Sequence, residues 1–294
     1  MKKLFAAAIA AVALSAPAVA AEVAKPNVSP AMWVVKDKDT TVYLFGTVHA
    51  LDGTQDWFND EVKTAYDSSQ EIVVEALMPE ASEIPAKVMP LAIDKSGKTL
   101  SSRLKPETAK LLAAQLAAMG APATAFDQFE PWFASMALSS MLMQKLGMKP
   151  ETGVEEILKA AAKADGKPLG EVESFEWQMN LFDTMPEDMQ IAMLAGGLED
   201  MAESERVMSE MVSTWSKGDI DSLAKLMNEA MLETPELGKL LLADRNARWA
   251  EWIDKRLDKP GTVFMAVGAG HLGGSESVQA MLEKRGIKSA RVSK

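Results

Sequence analysis

The sequence predicts an α/β fold: a mixed central sheet carrying a Gly-x-x-His motif at two strand ends, with a large helical insertion between them. Three observations predict it. The stretch Thr41-Val-Tyr-Leu-Phe-Gly-Thr-Val-His49 has a near copy in Thr262-Val-Phe-Met-Ala-Val-Gly-Ala-Gly-His271, and these hold the only two histidines of the chain. Each is an apolar run rich in β-branched and aromatic residues that stops at glycine, as a buried strand does where the backbone turns sharply. A third run, Glu71-Ile-Val-Val-Glu75, has the same character, whereas residues of about 79–166 and 175–257 show helical spacing.

In chain order, Met1-Lys2-Lys3 and the apolar run Leu4–Leu14 lead to Ala18-Val19-Ala20. A basic start, a run too short to span a bilayer and a small-x-small site describe a secretory signal peptide over residues 1–20. The mature chain, residues 21–294, then forms one domain, periplasmic or secreted, and no later apolar stretch is long enough for an integral membrane segment. Ala31–Val35 and Thr41–Phe45 flank a polar Lys36–Thr40 as in a hairpin, a helix follows over about Asn59–Ser68, and Glu71–Glu75 is the next strand.

Helices then dominate. Lys105-Pro106 starts one ahead of Ala109–Met119, Pro131 starts another that runs to Gly147, and Gly153–Gly166 ends on a glycine cap. Lys167–Glu173 reads as a strand, and helices resume from Trp177 to Leu257 with breaks at Met185-Pro186, Gly218 and Pro235. The last of these is expected as one helix, Glu236–Leu257. Val263–Val267, a helix over about Ser275–Arg285 and a strand Ala290–Val292 close the chain. The chain has 20 methionines, many of them in these helices (Met185, Met189, Met193, Met201, Met208, Met211). They read first as flexible filler of a helical core and alternatively as a groove for apolar peptide side chains.

Cysteine is absent, which excludes disulfides, thiolate nucleophiles and Cys-based zinc sites. The formal charge of −11 becomes −13 when Lys2 and Lys3 leave with the signal peptide. Such a surface disfavours nucleic acid and admits cations and neutral or cationic peptides.

Two strands carrying His49 and His271 must be neighbours to share a ligand, because the crevice beyond the carboxyl ends of parallel strands is where such sheets bind one. Glu75 joins them, since a carboxylate directly after Ile72-Val73-Val74 needs a sheet edge or a cation. Two imidazoles and a carboxylate are the ligand set of many open catalytic metal sites, so His49, Glu75 and His271 are candidate metal ligands. Glu75 is equally a candidate general base.

At these residues the chain resembles the TraB/GumN family, which is related to the Tiki metalloproteases. The resemblance rests on Gly46-Thr47-Val48-His49, Ile72–Glu75, Gly153-Val154-Glu155, Lys167-Pro168 leading to Glu173 and Gln178, Arg245-Asn246, and Gly268-Ala269-Gly270-His271-Leu272. Glu155 departs from an expected Asp. The resemblance implies a fold like that of the erythromycin esterase and ChaN-like proteins. It also implies metal-dependent peptide hydrolysis with a divalent ion, manganese or cobalt ahead of zinc. Arg245 becomes a candidate for holding an oxyanion or a substrate carboxylate; Glu173 and Gln178 are candidates for support of the histidines.

The expected function is therefore an exported metal-dependent hydrolase, a peptidase acting on a peptide or protein substrate through His49, Glu75, His271 and Arg245. Two alternatives stand beside it: a non-catalytic protein that sequesters a peptide, and a metal-free esterase-like hydrolase with one histidine as base and a carboxylate to orient it.

Overall fold

Six strands form the sheet: β1 (Met32–Lys36), β2 (Thr40–Thr47), β3 (Glu71–Val74), β4 (Leu169–Glu171), β5 (Gly261–Gly268) and β6 (Ser289–Arg291). The computed structural model describes residues 28–200, 203–232 and 234–293, so the expected signal peptide lies outside the described residues. The strand order is β4-β3-β5-β2-β1-β6, with β4, β3, β5 and β2 mutually parallel and β1 antiparallel to both β2 and β6. The two near-copied stretches thus lie side by side, Thr41 opposite Thr262 and Thr47 opposite Gly268.

Parallel strands covered on both faces read as unbroken apolar runs, and β5 shows why. Residues Val263 to Val267 are all buried to 0 % exposure. The cover comes from Val62, Ala65 and Tyr66 of the helix Asp60–Ser68, Leu158 and Ala162 of Val154–Asp165, Trp249 and Ile253 of Asp244–Leu257, and Leu282 of Val278–Lys284. Lys167 fastens the first of these helices by donating to the carbonyls of Tyr66, Asp67 and Ser69 at its carboxyl end.

The helical insertion has cores of its own. Leu100, Leu112 and Leu116 pack with Leu138, Leu194 and Leu198, while Val88 and Ala92 pack with Trp132, Phe175 and Met179. Met185 is buried, Met189, Met193, Met208 and Met211 are half-buried, and Met201 lies outside the described residues. Met193 packs on the second of these cores and Met211 on the core of the sheet, which is the filler role. Among the described residues no helix is long and apolar enough to cross a membrane.

One element differs from expectation. Glu236–Leu257 is not a single helix: a short turn of α-helix, Pro235–Gly238, passes into a π-helical turn, Lys239–Ala243, before Asp244–Leu257 begins. A π turn carries one residue more per turn than the α-helix, which rotates everything beyond it. Arg245, Asn246 and Trp249 all become buried here.

Candidate functional site

Each of the four parallel strands delivers one polar side chain just past its carboxyl end. In spatial order these are Glu173 after β4, Glu75 after β3, His271 after β5 and His49 after β2. Three helices complete the row: Asp244–Leu257 brings Arg245, Asn246, Arg248 and Trp249, Phe175–Asp183 brings Gln178, and Val154–Asp165 brings Glu155.

Arg245 sits in the middle, 8 % exposed. Its Nε donates to both oxygens of Glu173 at 3.1 Å, and its Nη2 donates to Glu173 Oε2 at 2.7 Å and to Glu75 Oε1. Nη1 donates to the Leu241 carbonyl, in the π turn, at 3.2 Å and faces His271 Nε2 at 3.3 Å. A guanidinium has five N–H groups, and here all five are committed. The surface pairing open to Arg245 from its neighbours is not made: Asp244 pairs with Lys239 and Glu251 with Lys255.

The two carboxylates around it are equally saturated. Glu173 also accepts from Arg248 Nη2 at 3.0 Å, Trp249 Nε1 at 2.9 Å and Gln178 Nε2 at 3.1 Å. Glu75 accepts from Gln178 Nε2 at 2.9 Å and from the Gly268 N–H at 3.2 Å, which ties the end of β3 to the end of β5. A side chain at position 268 would place its Cβ 3.4 Å from both Glu75 Oε2 and His271 Cδ2. Burial pushes Glu75 up, but Arg245, His271 and His49 together outweigh it and hold the carboxyl at about 2.

The two histidines differ. Asn246 donates through Nδ2 to the Glu276 carbonyl, which turns its Oδ1 toward His271 Nδ1 at 2.6 Å. Nδ1 therefore carries the proton in this hydrogen-bond network, and Nε2 is left to accept from Arg245. His271 is 6 % exposed and packs on the Trp249 ring at 4.3 Å; burial is the main reason its imidazole is held down to about 3 and stays neutral.

His49, by contrast, is 72 % exposed in its side chain, with Nδ1 2.9 Å from Glu155 Oε1. Glu155 is held by Thr47 Oγ1 at 2.5 Å as well. The Glu155 charge and hydrogen bond raise His49 to about 9. Burial pushes Glu155 the other way, and His49 and Thr47 overcome it, so the carboxyl lies below its ordinary range.

This donor set does not fit a divalent cation as it stands. His271 Nε2 and Glu75 Oε1 both take hydrogens from Arg245, a cation within reach of two of the three expected ligands, whereas His49, bonded to Glu155 through Nδ1, keeps Nε2 open in the way a ligating histidine does. Among the described residues no three His, Cys, Asp or Glu side chains are grouped to hold a metal ion.

The structure thus brings Glu75, His271 and Arg245 into direct contact and sets His49 beside them on Glu155. Thr47, Arg248 and Trp249 belong to the site without having been singled out from sequence. Arg248 and Trp249 follow Arg245 by three and four positions, the spacing of one helix face, and that signal could have found them.

Among proteins of known sequence, the chain is 28 % identical over 213 residues to Escherichia coli (strain K12) "Uncharacterized protein YbaP", covering 71 % of this chain and 76 % of that one. It is 24 % identical over 271 residues to an "Uncharacterized protein" of Treponema pallidum (strain Nichols), covering 86 % of this chain and 80 % of that one. No solved structure matches the chain. The model of the TraB/PrgY/gumN family matches residues 31–291, a span that takes in both Gly-x-x-His motifs and every residue of the site. The chain belongs to the TraB/PrgY/gumN family.

Proposed function

We propose that this protein is an exported hydrolase of peptide amides or related esters, and that His49, oriented by Glu155, activates its water. The observation that carries this reading is the exposed imidazole bonded through Nδ1 to a carboxylate. That bond leaves Nε2 as the basic nitrogen and stabilises the imidazolium formed during reaction. His49 Nε2 takes a proton from water as the water oxygen bonds to the carbonyl carbon. The proton then passes to the departing nitrogen or oxygen as its bond to that carbon breaks, and Glu155 stays ionised throughout.

Arg245, with every N–H committed, acts through its charge and by holding Glu75 and Glu173 in place rather than by bonding substrate. Glu75, held at about 2 and accepting from three partners, is a weak base and serves the same scaffold. A metal-dependent reading draws support from the placement of Glu75, His271 and His49 beyond three adjacent strands, and it requires Arg245 to leave both Glu75 and His271.

The test is turnover of a defined peptide library, read by mass spectrometry across pH, with and without a chelator. The expected result is turnover that survives chelation, rises with pH toward about 9, and is lost in His49→Gln. Loss on chelation with recovery on adding manganese or cobalt would replace this reading by the metal-dependent one. Binding with no turnover under any condition would replace it by sequestration.

A further inference from the structure

Arg248 is the one arginine of the site that still offers hydrogen-bond donors outward. Its side chain is 47 % exposed, and among the described residues only Glu173 accepts a hydrogen bond from it, at 3.0 Å. The guanidinium carbon lies 3.7 Å from the centroid of the Trp177 ring. Trp177 lies in the first turn of the helix Phe175–Asp183, where its backbone N–H donates to the capping Ser174 hydroxyl and holds the helix start in place. An arginine anchored at one end by a buried carboxylate and laid on an aromatic ring has little freedom left to lose on binding, and its remaining fork matches a carboxylate.

The position matters as much as the chemistry. Glu173 follows β4 and His49 follows β2, at opposite ends of the four parallel strands. Three intervals of about 4.8 Å separate those ends by about 14 Å. An extended peptide advances about 3.4 Å per residue, so about four residues bridge them. Between the two ends lie Glu75, Arg245 and His271, each bonded to another of the three or to a fixed partner.

We infer that Arg248, seated on Trp177, is the docking residue for a substrate carboxylate, and that a peptide held there runs across the strand ends to His49. This rests on the hydrolytic reading of His49, and it adds a substrate class: peptides bearing a carboxylate about four residues from the bond that is cut. A free C-terminus and an acidic side chain share that chemistry.

The test uses three N-acetylated hexapeptides of Ala and Ser: one with a free C-terminal carboxylate, its C-terminal amide, and the amide with Glu in the last place. Binding is measured by calorimetry on the His49→Gln protein, so that no turnover consumes them. The expected result is that at least one carboxylate peptide binds about tenfold more tightly than the neutral amide, whichever of the two it is naming the source. In Arg248→Gln the peptides converge in affinity, while Arg248→Lys keeps part of the preference. Equal binding of all three peptides, a preference that survives Arg248→Gln, or no binding of any peptide at millimolar concentration would overturn the inference. Turnover by the His49-containing protein is scored separately. Discrimination without cleavage leaves the docking residue standing and removes the hydrolase, and cleavage without discrimination does the reverse.

Discussion

Gly153 lies so close to His49 that a methyl group on it would stand 2.1 Å from the His49 carbonyl oxygen. The approach is what lets the Val154 N–H donate to the Val48 carbonyl and brings Glu155, in the first turn of its helix, onto the imidazole. Gly153→Ala must push the helix away from the strand end. The expected loss is about 1–3 kcal/mol in denaturant unfolding, the usual effect of overpacking. The larger signal is a fall in the His49 pKa. A Gly153→Ala protein with wild-type stability and an unchanged His49 titration would show the contact to be dispensable.

Glu155→Gln removes the charge and keeps the shape, so the His49 pKa should move from about 9 toward its ordinary 6.5. With two histidines in the chain, nuclear magnetic resonance can follow each one without ambiguity. The pH profile of turnover should shift to the acid side by the same interval, while the maximal rate falls because the imidazolium loses its partner. The raised pKa also fixes a sign for stability. The contribution of this pair is fully present below about 6.5 and is lost as pH rises through about 9, and Glu155→Gln should flatten that decline.

Acid acts through His271 and Glu75 instead. His271 is held at about 3, so between 6.5 and 3 the unfolded chain takes up a proton that the folded chain refuses. Stability should fall with decreasing pH over that interval, by at most about 1.4 kcal/mol per pH unit. Glu75, lowered to about 2, adds a second loss that begins below its ordinary 4.5. Urea titrations across pH should show the decline begin near 6.5, and His271→Gln should remove the part between 6.5 and 4.5. A decline that begins only below 4.5 in the unaltered protein would contradict the buried neutral imidazole.

Arg245→Met is expected to be the most damaging single change in the site. It leaves partly buried Glu75 without its cation and buried Glu173 with Arg248 alone, and breaking such a pair costs about 3–5 kcal/mol. Adding Glu75→Gln should recover part of the loss, since the charge left without its cation is then gone. Thermal unfolding of the single and double variants checks this, and equal stability of the single variant and wild type would show Arg245 to be a bystander.

The sheet was open to sequence reading because its inner strands are covered on both faces, so β3 and β5 appear as uninterrupted apolar runs ending at Glu75 and Gly268. The repeated Gly-x-x-His pointed to the adjacency of β2 and β5 on another ground, that two histidines share a ligand only from neighbouring strands. The interior of the site was less open. Leu240 to Ala243 favour an α-helix as strongly as any residues do, and no proline or glycine beyond Gly238 marks the π turn that aims Arg245 inward. Nor does local sequence show that Arg245 reaches Glu75, 170 positions away, or that a glycine gap lets Glu155 meet His49. Those facts belong to tertiary packing, and only the likeness to a family pointed at these residues beforehand.

The pairing of β2 with β5 has a consequence for how the molecule comes into being. It joins Thr40–Thr47 to Gly261–Gly268, so residues 48–260, the greater part of the polypeptide, form one closed loop between them. Loop entropy grows only slowly with length, and the finished protein loses little equilibrium stability by it. The rate is another matter, because distant partners are slow to meet. During synthesis the insertion helices, with cores of their own, can settle early, whereas β2 and β3 wait with open edges for a partner that emerges from the ribosome near the end. A nascent chain halted before residue 268 would be largely folded by helical content and wholly inert, and its unpaired strand edges would make it a substrate for chaperones and for aggregation.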